Sequence, residues 1–278
     1  MISDLHLGDR SPKDNFRRAH REKRLHSFLD HVEDRNGRLV IAGDLFELLR
    51  YPLGSVIERR AELLDRFAAM GAIYLPGNHD EDVATIEPSD PPHPFFAGLS
   101  DDFVQIVGDR RIKFAHGHLG DPLITTSLQN LGRMVGAVSY RFELRRAMNE
   151  LSADLMEESL HPTGRRPIRL RYRLRKGASR AYQRSRYRTA AEKLRMRTRD
   201  LRSRHMIMCF HGERTDDLYD VAIAGHTHSA GAVGDWYFNS GSWTAETNDF
   251  LRIQPDGKVE VFEWNHYGAE RNRIILAA

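Results

Sequence analysis

Residues 38–44, Arg-Leu-Val-Ile-Ala-Gly-Asp, decide how the rest of the chain is read. Leu39, Val40, Ile41 and Ala42 form an apolar run without a polar break, and Gly43-Asp44 ends it. A short run of this kind fits a strand covered on both faces. Downstream, Val56, Ile57, Leu63, Leu64 and Phe67 recur at helical spacing, and Gly71 stops the pattern as glycine often does at a helix end. Ala72–Leu75 is another apolar run, closed by Pro76-Gly77. Strand, helix and strand in this order predict a parallel pair with a right-handed crossover. Upstream, Leu25, Phe28, Leu29 and Val32 place an amphipathic helix over 22–32. Phe103–Val107 and Ile112–Ala115 flank Gly108-Asp109 and read as a hairpin. After residue 215 the α/β pattern returns. Val221–Ala224 and Trp236–Phe238 read as strands, and Leu251–Ile253 and Val259–Phe262 flank Pro255-Asp256-Gly257 as a second hairpin.

The chain has 278 residues, 40% of them hydrophobic, so it can bury a core without metal or disulfide staples. Its single cysteine excludes an internal disulfide framework. No apolar run reaches the length of a membrane span, and no Sec-type leader pattern is visible. The net charge of +3 is a cancellation. Residues 165–204 hold 17 Lys and Arg against two acids, Glu192 and Asp200, a net of +15 that leaves −12 for the rest. Such asymmetry points to a segment that meets an anionic partner. The segment lies in a stretch of different character. Residues 138–160 and 178–206 read as helices, joined by a connector at His161–Pro167. Ile168, Leu170, Tyr172 and Leu174 alternate with arginines and leave a strand open there. The expected layout is a core of residues 1–120 and 215–278, interrupted by a helical, basic insertion at 121–214.

Five clusters stand at or just beyond the ends of the expected strands. They are Asp4-Leu5-His6, Gly43-Asp44, Gly77-Asn78-His79-Asp80, His116-Gly117-His118 and Gly225-His226-Thr227-His228. Open α/β sheets bind ligands beyond the carboxyl ends of their strands, so folding can gather all five at one edge. Mixed Asp, His and Asn donors suit Mn²⁺, Fe²⁺ or Zn²⁺. In an extended segment, Asp-x-His and His-x-His put both side chains on one side. A carboxylate such as Asp44 has two oxygens and can bridge two ions, which together clamp a phosphoryl group and activate water. Each motif alone is weak, since Gly-Asp and Asn-rich turns are common. The ordered set is far more specific.

That set resembles the calcineurin-like metallophosphoesterase superfamily, whose pattern is Asp-x-His, Gly-Asp, Gly-Asn-His, His and Gly-His-x-His. The resemblance covers residues 1–118 and 215–264 and implies a four-layer α/β/β/α sandwich with a dinuclear centre. It implies that Asp4, His6, Asp44 and His228 hold one ion and that Asp44, Asn78, His116 and His226 hold the other, with Mn²⁺ expected first. It places His79 at the phosphate or leaving group as a catalytic residue, with Asp80 hydrogen-bonded to it for orientation. His118 is expected near the substrate. Only Met1 and Ile2 precede Ser3-Asp4, so the first strand of the family is expected to be very short, or the start to lie upstream.

Ser3–Gly8 and Gly43–Glu47 look like the branch of UDP-2,3-diacylglucosamine hydrolases, which cleave a pyrophosphate bond in a lipid-linked sugar nucleotide and carry a helical insertion at the same place. His79 stands where the best-known members of that branch have arginine. The expected substrate is therefore a nucleotide- or lipid-linked phosphoester. The alternatives are a nuclease, a cyclic-nucleotide phosphodiesterase, or a non-catalytic scaffold that binds through the insertion. The basic segment 165–204 is expected to lie on an anionic membrane surface, which makes the protein cytoplasmic and peripheral. Binding of nucleic acid, or of a substrate diphosphate, stands beside that reading.

Overall fold

The computed structural model describes residues 1–16, 21–121, 190–244, 248–265 and 268–271. The chain divides into two compact units, one of Met1–Pro122 with Arg202–Ala278 and one of Leu123–Leu201. The expected helix over 138–160, the connector 161–167 and the part of 178–206 before residue 190 lie outside the described residues.

In the first unit, α1 (Arg21–Glu33) precedes β1 (Val40–Ala42), α2 (Leu53–Ala69) and β2 (Ile73–Leu75). β3 (Phe103–Val107) and β4 (Arg110–Phe114) form the expected antiparallel hairpin. Helix α3 (Ala190–Thr215) leads into β5 (Val221–Ala224), β6 (Gly231–Val233) and β7 (Tyr237–Asn239). The chain then runs through β8 (Asp249–Ile253), β9 (Val259–Asn265) and β10 (Gly268–Arg271).

β1 and β2 pair in parallel, as the strand–helix–strand pattern predicts. Residues 1–3 extend that pair. Ile2 bridges Ile41 in parallel, the Ile2 N–H donates to Val40 O at 2.9 Å, and the Ala42 N–H donates to Ile2 O at 2.8 Å. On the other side, the Leu251 N–H donates to Met1 O at 2.9 Å. The short first segment thus joins β1 to the β10-β9-β8 meander, making one continuous layer. The other sheet has the order β3-β4-β5-β7-β6, with β5 parallel to both of its neighbours.

Three apolar clusters separate four layers, and the period-two alternation of strand side chains supplies them. Ile41, Tyr74, Phe250, Phe262 and Trp264 face α1 and α2, meeting Leu25, Phe28, Leu63 and Phe67. Val40, Ala42, Leu75 and Leu251 point the other way, against Ile112, Phe114, Val221 and Ile223 of the second sheet. Ala222, Ala224 and Tyr237 leave that sheet on its far side and pack on Met206, Ile207 and Phe210 of α3. The order is helix, sheet, sheet, helix, the expected α/β/β/α sandwich. The alternation also explains why the central strands read as unbroken apolar runs, since both of their faces are covered. The expected insertion, 121–214, overlaps this unit at its end: residues from Arg202 onward belong to the first unit, and Met206, Ile207 and Phe210 are in its core. β6 and β10, three and four residues long, had no period long enough to be read.

Candidate metal centre

All five motifs follow strand ends in one direction. Asp4 follows residues 1–3, Asp44 follows β1, Asn78 follows β2, His116 follows β4 and His226 follows β5. These strands are parallel within their sheets, so their carboxyl edges coincide, and the two edges face each other. The sheets touch there. The His116 Nδ1–H donates to Ala42 O at 2.8 Å, and the His226 N–H donates to Asp4 Oδ2 at 3.1 Å. The approach is close enough that a Cβ on Gly43 (φ +84°) would fall on the His116 ring. One on Gly77 would fall on Asp44 Oδ1. Glycine at both positions is what lets the donors converge.

The expected side-chain convergence arises by a different route from the one foreseen. Asp4 (φ 56°), His6 (φ 50°), Asp44 (φ 51°), His226 (φ 67°) and His228 (φ 53°) all adopt left-handed backbone, so Asp-x-His and His-x-His are not extended. Each left-handed residue curls its loop, and the curl turns the paired side chains inward. The conformation costs roughly 1–2 kcal/mol per residue for a side chain with a Cβ, though Asp and His tolerate it better than most. Five such residues in one site, out of the eight non-glycine cases among the described residues, mark strain concentrated where chemistry is expected.

Three groups of donors fall within 4.8 Å of one another: Asp4, His6 and His228; His6, Asp44 and His79; and Asp44, His116 and His226. The first group holds three of the four residues expected at one ion and lacks Asp44, and the third holds three of the four expected at the other and lacks Asn78. Asp44 Oδ2 lies 3.7 Å from His6 Nε2 and 3.4 Å from His116 Nε2. His228 Nε2 lies 3.0 Å from Asp4 Oδ1. His6 Nε2, His116 Nε2 and Asn78 Oδ1 are buried and receive no hydrogen bond. A buried polar atom left so costs about 1–3 kcal/mol. Two of them, His6 Nε2 and His116 Nε2, face the Asp44 carboxylate, and a cation there would satisfy both, so the donor set suits divalent metals.

The other ring nitrogens fix the tautomers. Glu47 Oε2 accepts from His6 Nδ1 at 3.2 Å, and Ala42 O accepts from His116 Nδ1, so Nε2 is the inward-facing nitrogen of both. His226 is reversed, because its Nε2 lies 2.7 Å from Asp121 Oδ2, which leaves Nδ1 for a metal. Burial opposes charge on His6, but Glu47, Asp44 and Asp4 hold its pKa up at about 9. Burial is likewise outweighed at His116, which Asp44 and Asp4 hold at about 10. Burial alone would raise Asp4, yet the His228 ring keeps it down at about 2. Burial would also raise Asp44, and His116, His79 and His6 hold it well below the usual carboxylate range. Burial lowers His226 to about 4, with the His116 and Arg202 charges acting in the same direction.

His79 stands at the mouth of the site, a quarter exposed, edge-on to His6 with ring centroids 4.5 Å apart. Its expected partner is not the one found. Glu47 Oε1 accepts from His79 Nδ1 at 3.0 Å. Asp80 is buried and accepts instead from the Phe46 N–H at 2.9 Å and the Gly77 N–H at 2.6 Å. Asp80 therefore ties the loop after β1 to the loop after β2, and burial with the nearby Asp44 charge raises its pKa. The reason is geometric: the carboxylate follows the turn of its own loop back to Gly77, while Glu47 reaches His79 from the opposite loop. His118 sits beside the centre, its ring 5.4 Å from that of His116, and burial together with the His116 and His226 charges lowers its pKa to about 4. Sequence reasoning assigned no role to Glu47, Asp121 or Arg202. For Glu47 a signal existed, an acid three residues after Asp44 in the same loop.

A sequence model described as calcineurin-like phosphoesterase matches residues 1–230. No curated protein gives a significant match. Among solved structures, a double mutant of Vps29 from Entamoeba histolytica is similar at 15% identity and a TM-score of 0.38, covering 98% of this chain and 96% of that one. A single mutant of the same protein gives 15% identity and a TM-score of 0.37 over the same shares.

Proposed function

The chain belongs to the calcineurin-like phosphoesterase family, and we propose that it is a metal-dependent phosphoester hydrolase. One observation carries the proposal: two groups of donors, one of Asp4, His6 and His228 and one of Asp44, His116 and His226, meet where the carboxyl edges of the two sheets face each other, and Asp44 Oδ2 of the second lies 3.7 Å from His6 Nε2 of the first. Asp4, His6, Asp44 and His228 would hold one divalent ion, and Asp44, Asn78, His116 and His226 the other. Two such ions supply a water of lowered pKa and positive charge for the phosphoryl oxygens. The chain's own groups do the rest. Asp4 and Asp44 stay ionised at neutral pH and offset the ions' charge. Ala42 O and Glu47 keep the Nε2 lone pairs of His116 and His6 turned inward. Glu47 also keeps the proton of His79 on Nδ1, so the Nε2 side of that ring is the one free to meet a phosphoryl or leaving-group oxygen.

The finer reading is a pyrophosphate bond in a nucleotide-linked lipid, with Mn²⁺ as the ion. It rests on the resemblance of Ser3–Gly8 and Gly43–Glu47. The basic segment 165–204 is proposed to meet an anionic membrane surface, on the strength of its 17 bases against two acids. No helix among the described residues is long and apolar enough to cross a membrane. Purified chain supplied with Mn²⁺ should hydrolyse an aryl phosphodiester, and Asp44→Ala should abolish the activity. Activity that persists in this variant overturns the reading. A screen over UDP-diacylglucosamine, cyclic nucleotides and oligonucleotides assigns the substrate class.

A further inference from the structure

Asp121 and Arg202 are far apart in sequence and adjacent in space. The Arg202 Nε–H donates to Asp121 Oδ2, and the same oxygen lies 2.7 Å from His226 Nε2. A second guanidinium nitrogen, Nη2, lies 2.9 Å from that Nε2. The Asp121 carboxylate is 1% exposed. A guanidinium can only donate, and one ring nitrogen cannot both donate and accept. The carboxylate therefore settles the tautomer: Nε2 keeps its proton for Asp121, and Nδ1 keeps the lone pair. The two residues also bracket the second unit, Leu123–Leu201, since Asp121 stands just before it and Arg202 just after it. The chain segments that leave and re-enter the first unit are thus pinned together on a side chain of the metal centre.

We propose that the Asp121–Arg202 pair is a positioning device for His226, which builds the metal position of Asp44, Asn78, His116 and His226 and reaches that of Asp4, His6, Asp44 and His228 only through the shared Asp44. The inference rests on the metal-centre reading above. Asp121 orients the ring and fixes its tautomer through Nε2, and Arg202 holds Asp121 in place. Neither residue touches the substrate in this role. Carboxylates that orient metal-binding histidines in this way typically contribute 10–100-fold to metal affinity.

The test is Mn²⁺ titration of the full chain, read by calorimetry and by the electron paramagnetic resonance of the bound ions. Wild type should take up two ions and show the spectrum of an exchange-coupled pair. D121N should bind one ion as wild type does and the other roughly 10–100-fold more weakly. At Mn²⁺ levels that fill both positions in wild type, its spectrum should be that of a single ion. R202Q keeps the Asp121–His226 contact and should weaken the same position by a smaller factor. It decides the matter if D121N does not fold. Equal affinities for both ions in wild type and in the folded variants overturn the inference, whatever the turnover. Two ions in wild type, loss of one in D121N and no hydrolysis of any phosphoester would support the inference while overturning the proposed function.

Discussion

Replacing Glu47 by Gln separates the roles of the two histidines it joins. Both carboxylate oxygens are in use, Oε2 at 3.2 Å from His6 Nδ1 and Oε1 at 3.0 Å from His79 Nδ1. Both ring nitrogens act as donors there. An amide has nearly the same shape but one acceptor oxygen and two donor hydrogens. E47Q can therefore serve one histidine and must turn an N–H toward the other. The loss is one hydrogen bond to a charged group, about 1.5–3 kcal/mol. At about 1.36 kcal/mol per decade this is roughly 10- to 150-fold. If His6 loses its acceptor, the loss falls on Mn²⁺ affinity at the Asp4–His6–His228 position. If His79 loses it, kcat falls while metal binding is kept. Hydrolysis of bis(4-nitrophenyl) phosphate across a Mn²⁺ series yields the metal activation constant and kcat together. E47Q with both constants at wild-type values would refute the reasoning, because one amide cannot present an acceptor oxygen at both carboxylate positions at once.

Three further outcomes follow from the geometry. Gly43→Ala places a Cβ on the His116 ring at a backbone φ of +84° and should cost at least about 2 kcal/mol, a fall of roughly 4–8 °C in Tm by calorimetry, with loss of metal binding. Arg60 is fully buried, 2.5 Å from Asp14 and 2.9 Å from Glu22. Arg60→Met leaves the Asp14 carboxylate buried without that partner and should destabilise by about 3–5 kcal/mol in urea unfolding. His6 and His116 are held at about 9 and about 10 against an ordinary 6.5, so the metal-free chain gains stability from them below the unfolded value. That contribution should be lost as pH rises through about 9–10. Mn²⁺ uptake near neutral pH should release about two protons, seen as a buffer-dependent calorimetric heat. Metal-free Tm that rises over this window, or uptake without proton release, would contradict the assignment.

The candidate donors after β1, β2, β4 and β5 were legible because each follows an apolar run long enough to be recognised as a strand. β1 with Gly43-Asp44 and β5 with Gly225-His226 show this most clearly. The double covering of those strands was legible for the same reason, since their runs carry no polar break. The pairing of residues 1–3 with both β1 and β8 was not, because a sheet joined through two or three residues leaves no periodicity. The left-handed backbone at Asp4, His6, Asp44, His226 and His228 was also hidden. An Asp or His does not announce such a turn as a glycine does. The partners of the histidines were the least visible part. Asp80 is adjacent to His79 in sequence and bonds elsewhere, whereas Glu47 and Asp121 reach their histidines across 32 and 105 residues. Sequence neighbourhood ranks such pairs in the wrong order.

The central claim is that two divalent ions sharing Asp44 hydrolyse a phosphoester, and one measurement meets it directly. Metal-free chain is loaded with Mn²⁺, its metal content is determined, and hydrolysis of bis(4-nitrophenyl) phosphate is followed for wild type and Asp44→Asn in parallel. The expected result is two ions and turnover in wild type, with turnover abolished and metal content lowered in the variant. Equal turnover in the two proteins, or a wild-type chain that holds two ions and hydrolyses no phosphoester, would contradict the claim.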